Sequence, residues 1–292
     1  MISCLGTLGI YIKLLFYQNS MEVNIVTDWG ITCFFENRNE FAKVAELAPH
    51  YPVKYLEIRG ERPFFSPEDL SPKDFDFFRE IIAKSGLKVT LHATFYDMNL
   101  STINSYLRQA TLQCYQKYLD LASEVQAEIM VVHAGLIHKD AAANREIQNI
   151  AKSNLIENLR ILGDYAKKRN VIIGLENSPP NRNHLMVREW KGHLNILNEV
   201  NHPRVRGVVD IAHAFLHGLD VVKYYDKMEN YLAELHVHNN DGKDDLHQAI
   251  NHGAINYPEF FCSREVRVPV IMEIRNFSDA LQSLEWIKNF HV

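Results

Sequence analysis

The sequence predicts a single (β/α)₈ barrel, and three observations predict it. Short β-branched runs alternate eight times with longer segments of helical periodicity. Such alternation implies parallel strands joined by crossover helices, and eight repeats can close on themselves. A doubly wound open sheet would carry a glycine-rich phosphate loop after its first strand, and the sequence has no such loop there.

The strands are expected, in order, at Val23–Asp28, Tyr55–Arg59, Lys88–His92, Glu128–His133, Val171–Glu176, Val205–Asp210, Leu232–His238 and Val268–Glu273. Between the second and third, Phe75, Phe78, Ile81 and Ile82 recur at helical spacing. Between the fourth and fifth, Leu155, Leu159, Leu162 and Tyr165 do the same. No Pro/Gly/Ser-rich linker divides the 292 residues, so residues 21–292 are expected to form one barrel domain. Residues 1–20 are expected to lie outside it. Their apolar stretch is interrupted by Lys13, is too short for a membrane span, and lacks both a basic leading region and a small-residue cleavage site.

Apolar residues make up 47% and charged residues 23%, a balance that can bury a sizeable core. The net charge of −5 and the absence of long basic runs weigh against a broad nucleic-acid surface. Cys4, Cys33, Cys114 and Cys262 are scattered, with no CxxC pair. Nothing in that spacing points to a thiolate zinc site or a disulfide framework, which favours a reducing, cytoplasmic setting.

In such a barrel the functional groups gather at the C-terminal ends of the strands. The third strand ends in His92, the fourth in His133 and the fifth in Glu176. The sixth ends in Asp210, with His213 just beyond. The seventh puts His236 and His238 on one face, and Asp245 and His247 follow in its loop. The eighth ends in Glu273. One strand-end histidine is usually structural, and one strand-end carboxylate is usually a cap or an ion-pair partner. Six consecutive strands delivering imidazole or carboxylate to one rim call for a divalent cation to neutralise them. Zn²⁺ suits a full histidine-rich cluster, whereas Mn²⁺ or Mg²⁺ suits a carboxylate-rich core, with one to three ions held.

In order along the chain, "HATFYDMNL" (92–100), "HAG" (133–135), "LENS" (175–178), "DIAHAF" (210–215), "HNNDGKDDLH" (238–247) and "MEI" (272–274) are a specific set. On these motifs the chain resembles the xylose isomerase-like barrel superfamily, from about Met21 to the C-terminus. That superfamily includes sugar isomerases and epimerases and endonuclease IV-type enzymes. Resemblance to the metal-dependent epimerases implies one ion on Glu176, Asp210, His238 and Glu273, with His213 touching substrate. Resemblance to the endonucleases implies a three-zinc cluster that adds His92, His133, His213, Asp245 and His247. Phe95 and Tyr96 stand where the endonucleases wedge DNA and where sugar-binding relatives pack on substrate. Two features depart from the family pattern. Asp244 replaces the arginine found six residues after the seventh-strand histidine of the epimerases, and Asn251, His252 and Gly253 replace a Gly-Glu-Gly turn.

The preferred reading is a metal-dependent isomerase or epimerase of a small sugar-like substrate, because the mouth loops carry as much acid as base. Glu176 and Glu273 would exchange protons with the substrate carbon. Arg59, Lys243 or Arg275 would hold a phosphate or distal hydroxyl, unless they serve only in salt bridges. A multinuclear zinc phosphodiesterase is the alternative, and a non-catalytic metal-binding barrel a third class.

Overall fold

A computed structural model describes residues 28–34, 37–62, 65–262 and 264–290. The extension expected at 1–20 and residues 23–27 of the first expected strand lie outside the described residues. In chain order the main elements are β1 (Trp29–Cys33), α1 (Arg38–Leu47), β2 (Val53–Gly60), α2 (Pro72–Ser85), β3 (Lys88–Ala93), α3 (Ser105–Glu124), β4 (Ala127–His133), α4 (Arg145–Lys167), β5 (Ile172–Glu176), α5 (Trp190–Val200), β6 (Val205–Asp210), α6 (Ile211–Leu216), α7 (Val221–Met228), β7 (Leu232–Val237), α8 (Tyr257–Cys262), β8 (Val270–Ile274) and α9 (Phe277–Phe290). All eight strands are parallel and close in order, with β1 pairing β8 as well as β2.

The first strand is a correction to the sequence reading. Among the described residues the first strand is Trp29–Cys33; of the expected Val23–Asp28 only Asp28 is described, and it precedes the strand. Its glycine makes it a weak strand by propensity, and propensity is what the sequence reading weighed. Pairing decides instead. At Gly30 an added Cβ would sit 2.8 Å from Tyr55 Cβ and against Ile271, so only glycine lets the neighbouring strands close this tightly.

The helices begin where side chains can satisfy their first amides. Asn104 and Asn144 cap α3 and α4, and Ser71 forms a capping box with Asp74 at the start of α2. Apolar faces of these helices pack on the outward faces of the strands, where Leu91, Leu119, Leu155, Leu159, Ile173 and Leu235 are fully buried. Inside the barrel, Ile129, Val131 and Val208 cluster with Ala233. Above them the interior turns polar.

Register then sets the mouth. It places His133 opposite Glu176, Asp210 opposite His236, and Arg59 opposite His92. Beyond β4, Gly135 turns the chain at a φ of 91°, and the Asn99 amide occupies the space a Cβ would need. This turn leads to Leu136–Ile137, which pairs antiparallel with His184–Leu185 as a small ribbon beside the opening.

Candidate metal centre

The nine expected ligands do converge. With His236 added they fall into three groups whose candidate ligand atoms lie within 4.8 Å of one another: His92, His133 and Glu176; Glu176, Asp210, His236 and Glu273, which shares Glu176 with the first; and His213, His238, Asp245 and His247. Glu176 is the hub. Its Oε2 lies 3.3 Å from His92 Nε2 and 2.9 Å from His133 Nε2, while its Oε1 lies 3.1 Å from His236 Nδ1. In the third group Asp245 Oδ2 is 3.3 Å from His213 Nε2 and 3.4 Å from His247 Nε2. His238 Nε2 sits between Asp210 Oδ2 at 3.3 Å and Asp245 Oδ1 at 3.4 Å.

Backbone carbonyls fix which nitrogen of three imidazoles faces the centre. A carbonyl only accepts, so the ring nitrogen beside it carries the proton. His92 Nδ1 donates to Ala93 O at 2.9 Å, His213 Nδ1 to Asn177 O at 2.8 Å, and His247 Nδ1 to Glu273 O at 3.0 Å. Each Nε2 is thereby left to the cluster. Asp210 divides its labour: Oδ1 caps α6 by accepting the His213 amide at 2.6 Å, and Oδ2 turns inward.

The donor set fits a divalent ion on a further ground. Asp210 Oδ2, His238 Nδ1 and Nε2, and Asp245 Oδ1 are buried and have no hydrogen-bond partner. Buried polar atoms left unpaired are costly, and here four of them belong to ligand-type side chains at one place. A cation beside His238 Nε2, which lies 3.3 Å from Asp210 Oδ2 and 3.4 Å from Asp245 Oδ1, would supply the missing partner on that side of the ring.

Without a cation, protons hold the charges together. Burial alone would raise Glu176, but the adjoining His133 and His236 outweigh it and keep this carboxyl well below its usual range. Asp245 is lowered against its own burial by His213, His247 and His238, and Glu273 by His236 and Arg59. The imidazoles respond in kind. Burial works against charge on His213, His236 and His238, yet the surrounding carboxylates raise all three.

The expected substrate residues divide. Phe95, Tyr96, Arg59 and Arg275 line a cavity of about 240 Å³ above the cluster, together with Phe34 and Leu136. Lys243 is exposed and does not line it. Arg59 is already committed. It grips Glu61 through Nε and Nη2 at 3.0 and 2.9 Å, donates from Nη1 to Glu273 at 3.0 Å, and stacks on Phe34. Arg275 also lies over Phe34, 5.2 Å from its centroid.

Several participants were missing from the sequence reading. His236, noted there only for sharing a face with His238, reaches Glu176 and Glu273, whereas His238 reaches Asp210 and Asp245. Beneath it lie Glu57 and Glu234, both fully buried. Burial, with the charges of Glu234 and Glu273 added, pushes Glu57 up to about 8 despite the opposing His236. The period of two in "LEIRG" and "LAELH" was the available signal, since it aims both glutamates into the barrel.

Fold and site together define a (β/α)₈ barrel with a polyhistidine–carboxylate centre at its C-terminal mouth. The chain belongs to the xylose isomerase-like TIM barrel family, whose model matches residues 45–290. Over 229 residues it is 30% identical to an uncharacterized protein of Methanocaldococcus jannaschii, covering 76% of each chain. It is 25% identical to fructoselysine 3-epimerase of Escherichia coli O157:H7 over 198 residues, 66% of this chain and 69% of the relative. Among solved structures it is similar to a D-tagatose 3-epimerase-like protein, with a TM-score of 0.78, 25% identity, and 90% and 96% of the two chains covered.

Proposed function

We propose that the protein is a divalent-metal-dependent isomerase or epimerase of a small sugar-like substrate, working through an enediolate. The observation that carries this reading is the pairing of two buried, ionised carboxylates, Glu176 and Glu273, within one ligand group that opens on the cavity. Similarity to a fructoselysine 3-epimerase supports it.

A divalent ion in the central group would supply Lewis acidity toward a carbonyl and its neighbouring hydroxyl. The chain's own residues do the rest. Glu176 and Glu273 take a proton from the carbon beside the carbonyl and return one to it. Arg59 engages Glu273 Oε1, and Oε2 lies 3.9 Å from His247 Nδ1. Fixing one oxygen in this way orients the carboxylate before substrate arrives. Phe95, Tyr96 and Leu136 give the cavity apolar walls that pack on the substrate and exclude water.

One observation favours a second reading, a zinc phosphodiesterase of endonuclease IV type. The ligand set extends past the central group, with Glu176 shared between two groups, as a multinuclear cluster requires. Arg59 argues the other way, because it is neutralised by Glu61 and Glu273 and is not free to serve a phosphate backbone.

The test offers metal-loaded protein a panel of ketoses, aldoses and their phosphates in D₂O, in parallel with abasic-site duplex DNA. The expected result is chelator-sensitive deuterium incorporation beside a carbonyl, seen by NMR, with intact DNA. Chelator-sensitive strand incision without exchange would replace the first reading by the second.

A further inference from the structure

One layer below the mouth, the barrel interior carries charge where branched apolar residues ordinarily fill it. Glu57 comes from β2, Thr90 from β3, and Glu234 and His236 from β7, and all four are 0% exposed. None of them lines the mouth cavity. Two carboxylates here are a poor choice for stability, since well-packed apolar residues of similar volume usually serve a core as well or better. Their presence needs another account.

The contacts supply one. His236 Nε2 lies 2.7 Å from Glu234 Oε1 and 3.5 Å from Glu57 Oε2. Thr90 Oγ1 in turn donates to Glu57 Oε2 at 3.4 Å. A carboxylate offers lone pairs only, so the hydrogen is on Nε2 and is donated to Glu234. The opposite nitrogen, Nδ1, therefore faces upward, 3.1 Å from Glu176 Oε1 and 3.6 Å from Glu273 Oε1. His92, His213 and His247 are held by backbone carbonyls through Nδ1, leaving Nε2 for the cluster. His236 is held the other way round, and a carboxylate does the holding.

We infer that Glu234 is a positioning residue. Its hydrogen bond fixes the tautomer and tilt of His236, so that Nδ1 meets the group formed by Glu176, Asp210 and Glu273. Glu57 flanks the same ring nitrogen at longer range. The inference rests on the metal reading of the mouth, and its test keeps the two separate.

Zn²⁺ affinity is measured by competition with a chromophoric chelator for the wild type, Glu234→Gln, Glu234→Leu and His236→Gln. Unfolding midpoints of the metal-free proteins are recorded alongside. Histidine ¹⁵N spectra of the Zn²⁺-loaded proteins report which ring nitrogen keeps its hydrogen, with the His236 signal identified by its loss in His236→Gln. Glu234→Leu is expected to weaken the tightest Zn²⁺ by roughly 10–100-fold, the usual effect of losing such a support. Its His236 signal is expected to leave the Nε2–H form. Glu234→Gln keeps an acceptor oxygen and is expected to stay close to wild type in both readouts. In the His236→Gln background, Glu234→Leu is expected to cost no further affinity, because the ring it positions is gone.

A merely structural glutamate would move the unfolding midpoint and leave affinity and tautomer in place, and that result would overturn the inference. Full additivity of the two substitutions would overturn it as well. Should Glu234→Leu not fold, Glu234→Asp, one methylene short of the ring, is expected to behave like it. A wild type that binds no Zn²⁺ would refute the proposed function and the inference with it, whereas a wild type that binds Zn²⁺ while Glu234→Leu binds it equally well would overturn the inference alone.

Discussion

Arg59 donates through Nη1 to Glu273 Oε1 at 3.0 Å, and the two side chains are only 6% and 2% exposed. The guanidinium is the lone fixed cation among the described residues that touch Glu273, and it helps hold that carboxylate ionised against its burial. Arg59→Met would strand Glu273 and Glu61 without it. Breaking a buried pair from one side typically costs about 3–5 kcal/mol. Urea unfolding of the metal-free variant is expected to show a loss of that order. With Zn²⁺ or Mn²⁺ added, the deficit is expected to shrink, because the ion takes over part of the neutralisation.

Metal affinity should depend on pH with a definite sign. His213, His236 and His238 are raised above the ordinary imidazole value by carboxylates that outweigh burial, so in the metal-free protein they hold protons that an ion must displace. Lowering the pH strengthens the competitor. Apparent affinity is expected to fall about tenfold per pH unit for each proton displaced. Calorimetry in buffers of different ionisation enthalpy checks this by counting the protons released.

His193 gives a separate acid limb. This α5 residue is fully buried between Leu175 O at 2.9 Å and the Tyr224 hydroxyl at 3.2 Å, and burial lowers its pKa to about 4. Unfolding restores the ordinary value near 6.5, so below that pH the unfolded chain takes up a proton that the folded chain refuses. The contribution is complete above pH 6.5, declines as pH falls, and is gone below about 4. Its size is on the order of 3 kcal/mol. His193→Gln is expected to be less stable at pH 7 and to lose less between pH 7 and 5, as read from thermal unfolding.

Glu273→Gln keeps shape and one acceptor oxygen but cannot take up a proton at neutral pH. Deuterium exchange into substrate is expected to fall by roughly 10²–10⁴-fold while the protein stays folded. His247→Ala, which removes a ligand outside the central group, is expected to cost far less. Bound metal is measured in each variant at saturation. Equal damage from both substitutions would favour the multinuclear phosphodiesterase.

The strand-by-strand order of the barrel was legible because parallel strands buried on both faces read as β-branched runs of fixed spacing. The convergence of the candidate ligands was legible for a related reason, since strand ends share one rim whatever the side-chain details. Three things were not. The first strand, Trp29–Cys33, depends on a glycine whose value is visible only against Tyr55 and Ile271. The division between His236 and His238 depends on tilt, and period two puts both on one face without saying which reaches Glu176. Arg59 looked available for substrate, and only the fold brings Glu273 across the barrel to claim it.

Metal content, measured together with anomalous scattering, decides whether the mouth is a divalent-metal centre. Protein saturated with Zn²⁺ or Mn²⁺ and freed of excess is assayed for ions per chain, crystallised, and followed through thermal unfolding with and without chelator. At least one ion is expected among Glu176, Asp210 and Glu273, with an unfolding midpoint that drops on chelation and returns with metal. No anomalous peak at the mouth, with a midpoint indifferent to confirmed metal removal, would contradict the metal assignment.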